Sequence, residues 1–357
     1  MIYYIVLFLI IVLRFFVNDR NKFCACAGIL LVLFAGLRGS FVGPDTYQYQ
    51  WIFEDIQRNH NAVYGFFFLE GQENHASEPG YNIFQTIVGH FANYEFFKML
   101  CAIVQIIPAI LLIRRYSDNV LMSLIIYFCL PVFSMMSMSM MRQGMAFGIF
   151  MLAYKYIIDR KFYKYLLCIL CAFLFHTSAL VLVPLYFIYN IPYKKEYNWL
   201  IFLGLGLVYI FSRVLYSFMI SFARIGYEMS DTMEGVKMLV FLMICLLASL
   251  LVKVEYLVYP IVKFQIYLLV YTIVLWMIGM NLASVLRLAA YTEFFLCLYI
   301  PNFLGLIRDI EIRKIVQWCA CIVCVLIMQN VVLKPSKEAI RYVPYYFYWE
   351  KRPINEL

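Results

Sequence analysis

Apolar stretches long enough to be buried in lipid recur along the whole chain, separated by short basic turns. This succession constrains the fold more than any motif, because lipid offers no partners for backbone N–H and C=O groups and every lipid-exposed crossing must be helical. Composition agrees. The 357 residues are 65% hydrophobic and 14% charged, whereas soluble domains use roughly 45–50% apolar and about 25% charged residues. The chain therefore reads as an all-α polytopic membrane protein, a single integral membrane domain over residues 1–357.

At about 20 apolar residues per crossing, twelve candidate transmembrane helices begin near residues 2, 23, 96, 120, 143, 164, 177, 197, 236, 264, 286 and 315. The run from Ile2 to Val17 has no basic flank and no small-residue cleavage site, so it is expected to be the first span rather than a cleaved signal. The turns NDRNK, RRYSDN, DRKFYK, PYKKE, the Lys253 to Lys263 linker and IRDIEIRK are basic and alternate. The positive-inside rule puts them in the cytoplasm and both termini outside.

That orientation requires the segment Tyr81 to Asn93 not to cross. Tyr81, Phe84, Val88 and Phe91 recur at helical spacing while Gln85, Thr86 and His90 interrupt the run, the pattern of an interfacial or re-entrant helix. An external loop then covers residues 38–95, and an external tail covers 334–357. Loops this long are usually functional or disordered.

The outer face collects Arg38, Arg142 and Arg287 at the ends of spans, with His176 at the tip of a helical hairpin. Strong cations beside lipid are expensive and call for an anionic partner or a functional site. Asp45, Glu54, Asp55, Glu70, Glu73 and Glu78 fall in the outer loop, where Gly43 and Pro44 mark a turn that would present Asp45, Tyr47 and Tyr49. Eleven cysteines include pairs at two-residue spacing, Cys168 with Cys171 and Cys321 with Cys324. All lie in apolar stretches, so packed thiols are expected rather than zinc ligands.

Several blocks resemble a known family when taken together and in order: LRGSFVGPDTYQYQWIF from Leu37, SEPGYNIFQTI from Ser77, MRQGMAFGIFMLAYKYIIDRKFYKYLLCILCAFLFHTSALVLVPLY from Met141, VLRLAAYTEFFLCLYIP from Val285, and VPYY from Val343. They are similar to the EpsG family of polysaccharide polymerases, which belongs with the Wzy-type O-antigen and capsule polymerases. Residues Tyr197 to Leu251 carry no part of the resemblance.

The resemblance implies a glycosyltransferase C-like enzyme of the bacterial inner (cytoplasmic) membrane with its active site facing outside. Its substrates would be a growing glycan and a repeat unit, each on undecaprenyl diphosphate, joined by inversion without metal or other cofactor. Membrane lipid and a chain-length regulator would be partners, and nucleic acid would not. An O-antigen ligase sharing the diphosphate site, and a transporter or flippase of lipid-linked sugars, are the alternative readings. No half-to-half repeat of the kind transporters show is visible.

Planar guanidinium groups suit a diphosphate, which makes Arg38, Arg142 and Arg287 candidate ligands, each with a plainer reading as a helix-end anchor. Gln143 follows Arg142, Tyr291 shares a helix face with Arg287, and Arg341 lies in the tail. Tyr47, Tyr49 and Glu78 complete the candidate binding residues. His176 and Asp45 compete as the base that takes a proton from the acceptor hydroxyl.

Overall fold

A computed structural model of the chain describes residues 1–59, 78–192, 194, 197–223, 234–250, 260–280, 283–334 and 342–350. Glu70, Glu73, Arg341 and most of the Lys253 to Lys263 linker lie outside the described residues. The rest forms two compact units, Met1–Val183 with Gln317–Leu357, and Pro184–Val316.

The first unit contains α1 (Ile2–Phe16), α2 (Arg20–Gly36), α3 (Thr46–Asn59), α4 (Pro79–Gly89), α5 (Tyr94–Tyr116), α6 (Val120–Cys129), α7 (Pro131–Met138), α8 (Met141–Ile158) and α9 (Phe162–Phe175), then a 3-10 turn, Thr177–Leu182. The second contains α10 (Pro184–Asn190), α11 (Tyr197–Ala223), α12 (Glu234–Leu250), α13 (Pro260–Gly279), α14 (Ala283–Glu293) and α15 (Leu296–Gly305). Helix α16 (Ile310–Ile327) begins in the second unit, ends in the first, and runs into a π turn, Met328–Val332.

Eleven of the twelve expected starts fall within about five residues of an α-helix start, as the apolar periodicity requires, and the one near 177 falls on the 3-10 turn. Among the described residues, three helices are long and apolar enough to cross a membrane, α5, α13 and α16 with its π turn. There are up to five if each of two bent pairs is one span. The first pair, α6 and α7, bends by 67° at Pro131, which has no N–H to continue the ladder. The second, in α14 and α15, bends by 42°.

Local signals start and stop these helices. The side chains of Asp19, Asn93 and Asn119 accept the N–H groups of Lys22, Phe96 and Met122 at the starts of α2, α5 and α6, satisfying donors that have no intrahelical partner. Arg114 and Arg115 fill the last turn of α5, where the helix dipole favours cations.

Close crossings hold the first unit together. A Cβ at Gly148 would lie 2.0 Å from the Val104 carbonyl, and one at Gly144 would lie 2.2 Å from the Met136 carbonyl. The G-x-x-x-G spacing in α8 thus lets its backbone meet α5 and the end of α7, the small-residue contact used in membranes.

Helix α3 lies where a loop was expected. Tyr49, Ile52 and Phe53 recur at helical spacing and are buried, so the segment seals one apolar face. Tyr49 and Phe53 join Tyr81, Val88, Tyr94, Phe97, Cys101, Met141 and Met145 in one cluster beneath the candidate site.

Helix α4 has 11 residues, about 16 Å at 1.5 Å each, half of a hydrocarbon core of about 30 Å. Its polar residues Asn82, Gln85 and Thr86 are buried together with Tyr81 and Val88. They turn toward the protein, while Phe91 beyond the helix end is 68% exposed.

Candidate active site

The turn before α3 is built by Gly43, whose φ is +103° and whose Cβ would sit 2.0 Å from the Met138 carbonyl. Both facts require glycine. Thr46 donates its hydroxyl toward the Val42 and Met138 carbonyls at 3.1 and 2.9 Å, and Tyr94 donates to the Thr46 carbonyl at 2.8 Å. The turn is thereby pinned to the end of α7, where Ser139 donates its hydroxyl to Asp45 Oδ2 at 3.3 Å.

Glu78 is the centre of the arrangement. It precedes Pro79, the first residue of α4, and Gly80 brings that helix start against α9, since a Cβ there would lie 2.9 Å from the Leu174 carbonyl. Arg142 Nη1 donates to Glu78 Oε2 at 2.8 Å, and His176 Nδ1 bonds Glu78 Oε1. Arg142 sits in the first turn of α8 and His176 at the C-cap of α9. Three segments remote in sequence therefore meet on one carboxylate.

Arg142 also donates from Nε to the Tyr49 hydroxyl at 3.4 Å, with its guanidinium 5.6 Å from that ring's centroid. Side-chain exposure is 5% at Glu78, 23% at Arg142 and 26% at His176. The carboxylate is sealed while the tips of its two partners remain accessible.

Burial works to raise the Glu78 carboxyl, but the His176 hydrogen bond and charge, and then Arg142, overcome it and hold the group below its ordinary value. Tyr49 is shifted the other way. Burial raises its hydroxyl, Arg142 opposes this, and the charges of Asp45 and Glu78 add to it. Asp45, Tyr49, Glu78, Arg142 and His176 thus form one electrostatic neighbourhood.

The other expected residues divide. Tyr47 is 48% exposed, with its ring stacked on Phe41. Gln143 is buried beside Arg142. Arg287 and Tyr291 belong to α14 in the second unit, the arginine exposed and the tyrosine buried.

Arg38, expected to project at the end of a span, is instead 1% exposed. Its Nε and Nη1 donate to the Val42 and Ala35 carbonyls at 3.2 and 2.5 Å. The end of α2 leaves carbonyls unpaired, that of Ala35 among them, and a long cationic side chain folding back between it and the following turn at Val42 explains the burial.

Sequence reasoning missed Lys98, which is fully buried and donates to the Arg38 carbonyl at 2.5 Å. A lysine in the opening turns of an apolar helix is the signal that marks it. It also missed the pivotal place of Glu78, for which the Glu-Pro-Gly helix start was the available cue.

The sequence model of the EpsG family matches residues 21–347 of the chain. No curated protein and no solved structure matches it.

Proposed function

The chain belongs to the EpsG family, and on that premise we propose that this helical, multi-pass membrane protein is a polysaccharide polymerase joining undecaprenyl-diphosphate-linked repeat units. It works on the outer leaflet of the bacterial cytoplasmic membrane, with twelve crossings, a glycosyltransferase C-like architecture and both termini outside. The basic turns support that orientation.

One observation carries the reading: a sealed carboxylate, Glu78, holds a guanidinium and an imidazole whose tips stay accessible. This is a phosphate ligand beside a proton acceptor, the two groups a glycosyl transfer from a lipid diphosphate requires. With Nδ1 of His176 committed to the Glu78 carboxylate, Nε2 is the ring nitrogen left to face substrate.

In the proposed step, the terminal non-reducing hydroxyl of the incoming repeat unit attacks the anomeric carbon of the growing glycan. The new glycosidic C–O bond forms with inversion as the bond to the diphosphate oxygen breaks. Undecaprenyl diphosphate departs with the electron pair, and His176 Nε2 takes the hydroxyl proton. Arg142, at the positive end of α8, stabilises the charge that develops on the leaving oxygen without a metal. Gln143 supports Arg142, and Tyr47 offers a ring face to a sugar. Asp45 is the rival base.

Purified protein given its own lipid-linked repeat units should produce a ladder of lengthening glycans. Cells lacking the protein should accumulate single repeat units. Transfer of the glycan to a different acceptor without a ladder would make the protein a ligase and overturn this reading.

A further inference from the structure

Two cations are sealed inside the first unit away from the Glu78 group. Arg38 is 1% exposed and Lys98 0%. Among the described residues, neither forms an ion pair with a carboxylate. Carbonyls and ring faces compensate them in part, with Lys98 Nζ 5.3 Å from the Tyr94 ring centroid and 5.9 Å from that of Tyr348. Arg38 Nη2 is buried and has no hydrogen-bond partner among the described residues. A buried donor left unmade is destabilising, and more so when the group is charged, while desolvating two like charges together adds to the cost.

The C-terminal segment from Tyr342 to Glu350 lies against this pair. The Gly39 N–H donates to the Tyr346 carbonyl at 2.8 Å and the Tyr348 N–H to the Leu37 carbonyl at 3.0 Å, around an antiparallel bridge between Arg38 and Phe347. The Tyr346 hydroxyl accepts the Phe41 N–H at 3.0 Å. The segment brings aromatic rings to the cations, and its Glu350 carboxylate accepts the Phe347 N–H instead of meeting them. A pairing this short opens at low free energy compared with the helical core.

We propose that Arg38 and Lys98 form a second anion site, for a phosphate group, which the C-terminal aromatic segment covers and which opens when that segment lifts. A guanidinium with an unused donor and an adjacent ammonium together match a phosphate's several oxygens. Binding gives Arg38 Nη2 an acceptor and replaces the Tyr348 ring at Lys98 with a charge. A lipid headgroup and free phosphate share this chemistry. The site stands independently of the role assigned to the Glu78 group.

Hydrogen exchange of the full chain in zwitterionic nanodiscs tests the proposal at the amides of Gly39, Phe41 and Tyr348. The additions are sodium pyrophosphate, undecaprenyl phosphate in the bilayer, and sodium chloride at matched ionic strength. At least one phosphate arm should accelerate exchange about tenfold or more over the chloride arm. Acceleration by pyrophosphate identifies free phosphate as sufficient, and acceleration confined to the lipid arm identifies a headgroup. Equal exchange in all arms overturns the proposal. Lys98→Arg should keep the response and a folded Lys98→Gln should lose it, and a Lys98→Gln protein that responds like the wild type also overturns it. Should Lys98→Gln fail to fold, the wild-type arms decide alone.

Discussion

Glu78 and Arg142, 64 positions apart in the chain, meet in an ion pair of 2.8 Å. The other oxygen of the same carboxylate holds the His176 imidazole. A change at Glu78 therefore reaches both the proposed phosphate ligand and the proposed base.

Glu78→Gln keeps an acceptor but removes the charge, so the imidazole loses its fixed tautomer. Polymer formation by purified protein should fall about 10²-fold or more, with Glu78→Asp intermediate. The pH dependence of stability follows from the lowered carboxyl. A depressed folded value stabilises the protein above the unfolded value of about 4.3, and that contribution is lost as pH falls through the folded value. Acidification from about pH 5 to about pH 3 should thus cost the wild type more stability than Glu78→Gln. Parallel melting curves over that range would show that the ion pair contributes nothing.

Arg142→Lys retains charge but loses the planar fork, which bonds Glu78 and approaches Tyr49. Polymerisation should be abolished or strongly reduced, because an ammonium cannot reproduce bidentate phosphate binding. Normal polymer length and yield at matched protein level would make Arg142 a structural anchor.

His176→Ala should slow the chemical step by about 10² to 10⁴ while donor binding survives through Arg142. Asp45→Asn is the competing test, since an amide still accepts the Ser139 hydroxyl but is no base of comparable strength. If Asp45→Asn is inactive yet binds donor while His176→Ala turns over normally, the base is Asp45.

Two glycines separate positioning from folding. Gly80→Ala sets a Cβ 2.9 Å from the Leu174 carbonyl, which pushes α4 away from α9 and moves Glu78 relative to His176. Activity should drop with little change in folded yield. Gly148→Ala sets a Cβ 2.0 Å from the Val104 carbonyl, in a crossing of two helix backbones that cannot yield. Stability should fall by about 1–3 kcal/mol, read as loss of folded protein in detergent. Equal behaviour of the two variants would contradict this division.

Helix type and placement were legible because burial in an apolar solvent imposes a periodicity that a linear pattern records. The Gly43 turn was legible for a related reason, since a left-handed backbone leaves a residue signature. Helix α3 was hidden by its polar composition. Its buried stripe of Tyr49, Ile52 and Phe53 is short and flanked by glutamines and acids.

The sequence by itself determined that the chain is helical and apolar, and it singled out Glu78, Arg142 and His176 as individuals. Their joining was decided by tertiary structure, because it depends on how closely α4 approaches α9 at Gly80 and α8 approaches α5 at Gly148. Arg38 shows the same division. Its charge was plain in the sequence, but whether it faced an outside ligand or the carbonyls of Ala35 and Val42 depended on the path of the chain beyond α2 and on the C-terminal segment that returns beside it. Pairing between remote segments is a property of distances in space, and local propensity carries no record of it.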